Sequence, residues 1–356
     1  MSRATVSAPW FAATRGSVLC AVEKFVDDQC ATVLGAGGVD VAETILRRML
    51  ADGKCLRSTF LHLGWRCGAD PEPEAIRAAA SLEFLHVFAL LQDDVMDESA
   101  LRRGRPSAHR SFEAWHGERR LPGSSARFGE SAAVLLGDLC LVWAEHMLRD
   151  SGLPAAALQR AWPRYDAMRT ELAVGQFADL VNDTGGFPSL DHVLDVARRK
   201  SGNYTVRRPL ELGAALADCD DDVLAALGTY GDAIGEAFQL RDDLLGVFGS
   251  PDEMGKPAGI DLQARKATTV VVAAYELATG AQQRQLKDLM TAERLSEADI
   301  AQWQDVIADI GTVDVVESMI RERLAWASDA LDATNVADDV RAALTDMAFL
   351  CTERAA

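Results

Sequence analysis

An all-α fold is predicted for this chain by three observations. Apolar residues recur at helical spacing almost from end to end. No Val/Ile/Thr alternation is long enough to make a sheet. The interruptions are short and marked by Gly and Pro. No stretch is polar and long enough to act as a linker, so residues 1–356 are expected to form a single domain. Residues 1–15 are expected to lack order, as unanchored termini often do.

The elements follow in order. Leu46, Met49 and Leu50 form one helical stripe and Phe60, Leu61 and Leu63 the next, around a break at Gly53-Lys54. Pro71 and Pro73 start a long apolar helix over 74–97. The Gly- and Arg-rich stretch 117–129 reads as a loop. Helical patterns resume over 130–150, 154–182, 190–216, 221–247 and 262–292, and three shorter pieces complete the chain. Breaks fall at Gly152-Leu153-Pro154, Gly185-Gly186-Phe187-Pro188 and 249–259.

Composition excludes several classes of partner. The chain has 36 Lys+Arg against 54 Asp+Glu, a net charge of −18. Nucleic acid needs a broad basic surface, which this balance does not offer. The same balance disfavours an anionic membrane surface, but a small phosphorylated substrate can be met locally by a metal and a few cations. The seven cysteines are scattered and odd in number, with no Cys-x-x-Cys. That pattern predicts a reduced, cytoplasmic protein without a disulfide framework or zinc site. No uninterrupted apolar run approaches the roughly 20 residues of a membrane span, and the first residues lack an apolar signal region. No integral membrane segment is expected.

Two aspartate-rich segments carry the chemistry. Asp93-Asp94-Val95-Met96-Asp97 ends the long apolar helix and is followed by Arg102-Arg103-Gly104-Arg105. Gln239-Leu240-Arg241-Asp242-Asp243 ends the 221–247 helix, with Lys256 and Lys266 downstream. Clustered carboxylates at the end of an apolar run are costly to bury unless something positive sits among them. Asp93 and Asp97 share a helix face, ~6 Å apart along the axis, while Asp94 lies ~100° round from Asp93. Oxygen ligands of this kind favour Mg²⁺, which is usually shared with substrate phosphates. The first motif alone reads equally well as a solvated helix end paired with Arg102 and Arg103. A second acidic helix end tips the balance toward a Mg²⁺–diphosphate site, since facing helices build metal sites from inward-pointing acids.

In this order the motifs resemble the trans-isoprenyl diphosphate synthases, or polyprenyl synthetases, especially bacterial farnesyl and geranylgeranyl diphosphate synthases. The series runs from Gly53-Lys54-Cys55-Leu56-Arg57 through His86, seven residues before Asp93, to the first aspartate motif and Arg102-Arg103-Gly104. It continues with Gly175-Gln176 and Asp179, Lys200-Ser201, Phe238-Gln239-Leu240-Arg241-Asp242-Asp243, Gly255-Lys256 and Lys266. The motif-bearing core spans about 46–272. The resemblance implies the isoprenoid synthase fold, a large helical bundle around a deep central cavity, and a homodimer. Apolar residues such as Val134, Leu135, Leu139, Leu141 and Trp143 fit the homodimer as well as they fit ordinary core packing.

The resemblance also implies roles. Lys54, Arg57, His86 and Arg103 match positions that grip the diphosphate of isopentenyl diphosphate. Arg102, Lys200, Ser201, Lys256 and Lys266 match the allylic diphosphate site, which Gln176 and Gln239 line. Asp93, Asp97 and Asp242 match direct Mg²⁺ ligands, and Asp94 and Asp243 supporting acids. Three Mg²⁺ per site are implied, with Mn²⁺ able to substitute. Asp93, Asp97, Asp242, Arg102, Lys200 and Lys266 are the implied catalytic set. Judged without the resemblance, Lys54 reads as a surface lysine and His86 as a satisfied core histidine.

Three positions depart from the pattern. Cys55 replaces a commonly basic residue, Ser58 stands where proline is common, and Gly246 stands where many relatives have a third aspartate. The last is expected to weaken support for one Mg²⁺ without loss of activity. Product length is expected to be set below the first motif. Phe88 and Ala89 lie five and four residues before Asp93, with Leu85 and Leu82 deeper. A lone aromatic beside a small residue, in a motif with no insertion, looks like a C20 enzyme. The alternatives are a farnesyl diphosphate synthase, a class I terpene cyclase and a non-catalytic partner subunit. A cyclase has no need of Lys54, Arg57 and His86, and a non-catalytic subunit has no need of an intact first motif.

Overall fold

The computed structural model describes residues 9–34, 40–51, 53–182, 187–249 and 259–353. The chain is all-α and forms two compact units, Met1–Arg160 and Ala161–Ala356.

The first unit opens with α1 (Pro9–Gln29), which ends in a wider π turn, Cys30–Leu34. Helix α1 starts at Pro9, so residues 9–15 are ordered, contrary to expectation; residues 1–8 lie outside the described residues. Proline at a helix start loses no intrahelical bond, and buried Val18, Val22 and Val26 anchor the face behind it. Helices α2 (Asp40–Ala51), α3 (Leu56–Arg66) and α4 (Pro73–Met96) follow. Then come a minimal hairpin, β1 (Leu101–Arg102) and β2 (Arg105–Pro106), and helices α5 (Ala108–Glu118) and α6 (Ser125–Arg149).

Helix α4 is the axis of this unit. Its N-terminal half is alanine-rich and buried on nearly every side, which lets neighbouring helices approach closely. Higher up, Phe84 of α4, Phe25 of α1 and Trp143 of α6 meet edge to face, with ring centroids 5.2 to 6.2 Å apart. Such pairs add about 1 kcal/mol each beyond the area they bury.

Helix α6 is long and apolar enough to cross a membrane by length and composition alone. Yet Ala133, Leu136, Cys140, Trp143, Ala144 and Met147 are buried, and the helix carries Arg127, Glu130, Asp138 and Glu145 along its length. It therefore has the pattern of a packed amphipathic helix. The loop expected over 117–129 is shorter, 119–124. Ser124 caps α6 by accepting from the Arg127 N–H, and arginines are compatible with the helix interior.

The second unit contains most of α7 (Ala155–Asn182), then α8 (Leu190–Ala197), a π-helical stretch (Arg198–Arg207), α9 (Arg208–Leu216) and α10 (Asp221–Phe248). Asp220 starts α10 by accepting from the Val223 N–H at 2.8 Å. Helix α10 packs on the π stretch and on α15 (Thr312–Asp332) and α16 (Asp338–Thr352); buried Tyr230 donates to the Leu344 carbonyl at 2.7 Å. Leu240, Leu244 and Val247 join the fully buried Trp303 of α14 (Glu297–Asp309) in one apolar cluster.

The expected helix 262–292 is three pieces: α11 (Ile260–Gln263), α12 (Thr269–Leu277) and α13 (Gly280–Thr291). Apolar spacing runs on through the joints, but Thr268 and Thr279 cap new starts there, Thr279 together with Gln282 in a capping box. Of the three C-terminal pieces, α15 is not short: it has 21 residues.

Candidate active site

The first aspartate motif lies at the C-terminal end of α4. Asp93 is half-buried, and Asp97 caps the helix with its N–H bonded to the Asp93 carbonyl at 2.8 Å. Asp94 points inward and is fully buried. Arg102 meets it from β1: Nε and Nη2 donate to Asp94 Oδ1 at 2.9 and 2.5 Å, and Nη2 reaches Asp93 Oδ2 at 3.2 Å. Burial raises the Asp94 pKa, and Arg102 pulls the other way. Asp94 Oδ2 is buried with no hydrogen-bond partner, an acceptor that a cation or ordered water would satisfy.

The hairpin fixes Arg102 and exposes Arg103. Arg103 and Gly104 have φ of 52° and 71°, the two left-handed residues that a type I′ turn demands. The Arg-Gly pair is thus a turn signal as well as a charge signal. Its register pairs Arg102 with Arg105.

A cationic group gathers on the same unit. The half-buried His86 imidazole is held well below its usual pKa, first by its loss of solvent and then by the charges of Arg57, Arg103 and Arg102. The charges of all three guanidinium groups are thus felt at a neutral histidine that lies two helical turns before Asp93 on the same face of α4. Lys54 is exposed in the turn before α3. Three of the four residues expected to grip isopentenyl diphosphate thus sit within electrostatic reach of one another.

The residues expected to set chain length divide. Phe88 and Ala89 are partly exposed, whereas Leu85 and Leu82 are fully buried in the core.

The second motif ends α10, and its carboxylates have different company. Asp243 is buried; Oδ1 accepts from Gln239 Nε2 at 2.7 Å and Oδ2 from the Thr269 N–H at 2.9 Å. Thr269 is the first residue of α12, so this carboxylate sits on a helix N-terminus. Burial, with some repulsion from Asp261, still pushes Asp243 up to about 7. The motif's own cation does not help: Arg241 is forked onto Glu317 at 2.7 and 2.9 Å and donates to the Thr352 carbonyl. Asp242 is half-buried, as Asp93 is. Gln239, expected to line the allylic site, holds Asp243 by its amide nitrogen.

Lys200 lies in the π stretch with Nζ 2.5 Å from Asp179 Oδ2 of α7. Gly175 makes that approach possible: a Cβ there would meet the Lys200 backbone nitrogen at 2.6 Å. Ser201 and Gln176 flank this contact in sequence and are half-buried. Lys266 follows α11, its N–H bonded to the Asp261 carbonyl at 2.9 Å. Lys256 lies outside the described residues.

Two acids were not singled out from the sequence. Glu83 is buried on α4 beside Ser58, and Asp261 covers Gly246 so closely that a Cβ at 246 would overlap its carboxylate. Glu83 had a signal, as the only acid between 75 and 92 in a helix otherwise almost wholly apolar. Asp261 had none beyond the unexplained glycine.

The donors suit Mg²⁺. Asp93, Asp97 and Asp242 offer hard oxygens and remain at least partly accessible. Among the described residues no three acidic, His or Cys side chains are grouped to hold an ion unaided. Any ion would need further oxygens, as from a diphosphate.

The polyprenyl synthetase family model matches residues 39–307, wider at both ends than the motif-bearing core. The geranylfarnesyl diphosphate synthase of Aeropyrum pernix is 30% identical, over 82% of this chain and 87% of its own. A (2E,6E)-farnesyl diphosphate synthase of Mycobacterium bovis is 32% identical, over 85% of this chain and 80% of its own. The crystal structure of geranylgeranyl pyrophosphate synthase from Corynebacterium glutamicum, complexed with isoprenyl diphosphate and magnesium, superposes with a TM-score of 0.91 at 36% identity. That match covers 96% of this chain and 99% of that one.

Proposed function

This chain belongs to the polyprenyl synthetase family, and from that premise we propose that it joins isopentenyl diphosphate head to tail to allylic diphosphates, with geranylgeranyl diphosphate as the main product. The observation that carries the reading is the Arg102 fork onto the acidic end of α4, with the charges of Arg57 and Arg103 felt at a neutral His86 two turns earlier on that helix. Fixed cations next to a carboxylate pair are what two diphosphates and a divalent ion require together. The family match runs across both units, which supports one functional domain.

Each group has a task. Asp93, Asp97 and Asp242 would hold Mg²⁺, with Asp94 and Asp243 as supporting acids. Bound Mg²⁺ supplies neutralisation of the charge that builds on a departing diphosphate. Arg102, Lys200 and Lys266 grip the allylic diphosphate and stabilise the same charge. Lys54, Arg57 and Arg103 hold the diphosphate of the incoming substrate. Neutral His86 offers it an N–H donor without adding charge. Phe88 limits the growing chain where Ala89 leaves room.

The test is product analysis by mass after incubation with isopentenyl diphosphate and each allylic starter, with Mg²⁺ present or removed. A C20 diphosphate, made by the purified chain alone and only with metal, is expected. Hydrocarbon formed from an allylic diphosphate without isopentenyl diphosphate would indicate a cyclase, and no turnover a partner subunit. Phe88→Ser should lengthen the product by one or more C5 units, and Ala89→Phe should shift it toward C15. An unchanged length in Phe88→Ser removes the basis for C20.

The same reading includes a homodimer. Leu135 and Val142, two helical turns apart on α6, are 68% and 63% exposed, a face suited to a second copy. Trp143, by contrast, is core. Light scattering should give about twice the 38.4 kDa chain mass.

A further inference from the structure

The turn between α2 and α3 presents Lys54 and Arg57, and it is braced from inside by a residue with no assigned role. Glu83 is 4% exposed, and it accepts a short hydrogen bond from the hydroxyl of Ser58, which is fully buried. The Cys55 thiol, beside the same carboxylate, closes the turn on itself by donating to the Gly53 carbonyl at 3.8 Å. Gly53 lies against the same group: a Cβ there would meet Glu83 Oε2 at 3.1 Å. One carboxylate thus holds Ser58 by a hydrogen bond and leaves room at position 53 for little more than a glycine.

The turn needs such a brace. Cys55, the residue before α3, is held at φ 53°, ψ 34°, and its side chain makes no cap hydrogen bond. A non-glycine residue keeps a left-handed conformation only where its surroundings over-determine it. Outside the turn, Arg15 of α1 donates to the Gly53 carbonyl at 2.9 Å. Inside it there is Glu83, one turn before His86 on α4. The carboxylate also feels the charges of Arg57 and Arg103. It therefore lies at the root of the cationic cluster.

We propose that Glu83, acting through Ser58, is a positioning residue for the isopentenyl diphosphate half of the site: it fixes the 53–58 turn so that Lys54 and Arg57 stay presented beside His86 and Arg103. The hydroxyl of Ser58 makes the tie at a position where proline, common in the family pattern, could make none. Ser58 is the third residue of α3, where the N–H has no intrahelical partner, so proline fits the backbone there and removes only the hydroxyl. The role rests on the functional reading above, whereas the brace itself does not.

Two measurements on the full chain separate them. Amide hydrogen exchange over 53–58 reports the brace, and Michaelis constants for the two substrates report its role. Ser58→Ala should speed exchange in the turn by about three- to tenfold, the effect of one lost hydrogen bond. It should raise KM for isopentenyl diphosphate by a similar factor, with less than about a twofold change for the allylic substrate. Ser58→Pro should show the same KM bias. Glu83→Gln, which keeps an acceptor for Ser58, should stay within about twofold of wild type in both. Unchanged exchange in Ser58→Ala overturns the brace. Faster exchange with equal shifts in both KM values overturns the positioning role. A KM bias in Glu83→Gln as large as in Ser58→Ala would assign the effect to charge and overturn the part given to Ser58. A wild-type chain that turns over no isopentenyl diphosphate refutes the functional reading, while exchange still decides the brace.

Discussion

Asp94 and Asp243 hold the same place in their motifs, each the buried partner of a half-buried aspartate, yet their burial is compensated by different means. Asp94 is met by a full charge, the Arg102 fork from the hairpin. Asp243 is met by neutral donors, the Gln239 amide and the first N–H of α12, while Arg241 is committed to Glu317. The same dipeptide therefore anchors a cation in one unit and the start of a helix in the other. In both, the inner carboxylate is held by donors of the protein, while the outer one, Asp93 or Asp242, is only half-buried.

The largest effects should come from the outer pair. Asp93→Ala and Asp242→Ala are each expected to cut turnover by about a hundredfold or more, the scale of losing one preorganised electrostatic group. Far-UV circular dichroism should stay unchanged. Full activity of either variant in Mg²⁺ would break the equivalence of the two outer acids.

The inner pair should separate. Asp94→Asn keeps an acceptor but removes the nearer countercharge, leaving the largely buried Arg102 only the longer ion pair to Asp93, and should cost about 3 kcal/mol of unfolding free energy. Asp243→Asn strands no cation and should cost about 1 kcal/mol, the value of one hydrogen bond. Urea denaturation of the metal-free proteins reads both. Equal losses would mean that the two compensations do the same work.

A smaller effect separates the units by pH. His62 of α3 is buried, which lowers its pKa from 6.5 to about 4. A depressed histidine pKa gives stability that is present above 6.5 and is lost as pH falls toward 4. The loss should reach about 1 kcal/mol by pH 5.5 and vanish in His62→Gln. Asp243 carries the opposite sign: with its pKa raised to about 7, its contribution is retained in acid and lost as pH rises through 7. Melting temperatures between pH 5.5 and 8, with and without His62, distinguish the two. A profile unaffected by His62→Gln would remove the histidine from the account.

Much of this was legible in the sequence, because the strongest signals were local and periodic. Helices α4 and α10 and the aspartates at their ends follow from apolar spacing and, for α4, from Pro71 and Pro73 at its start. The single helix expected over 262–292 failed because apolar spacing runs through both joints, while Thr268 and Thr279 act by hydrogen bonds that periodicity does not register. The Arg103-Gly104 turn was read only for its charges, because two residues per strand leave no alternation to see. The inward turn of Asp94 and the tie from Ser58 to Glu83, 25 residues apart, depend on which helices become neighbours. Nothing in a single sequence states that.

Gly246 and Asp261 have a consequence for engineering and for descent. With the Asp261 carboxylate lying over Gly246, a side chain at 246 collides with the residue that fills its place. Restoring the aspartate that many relatives carry at 246 would seat a second carboxylate against the first, beside the already buried Asp243. The two positions are therefore coupled: a side chain at 246 is accommodated only if the Asp261 carboxylate turns aside. A consensus library that swaps residues one at a time would read Gly246 by itself and miss that Asp261 must move with it. A lineage regaining the third aspartate would have to move Asp261 aside first.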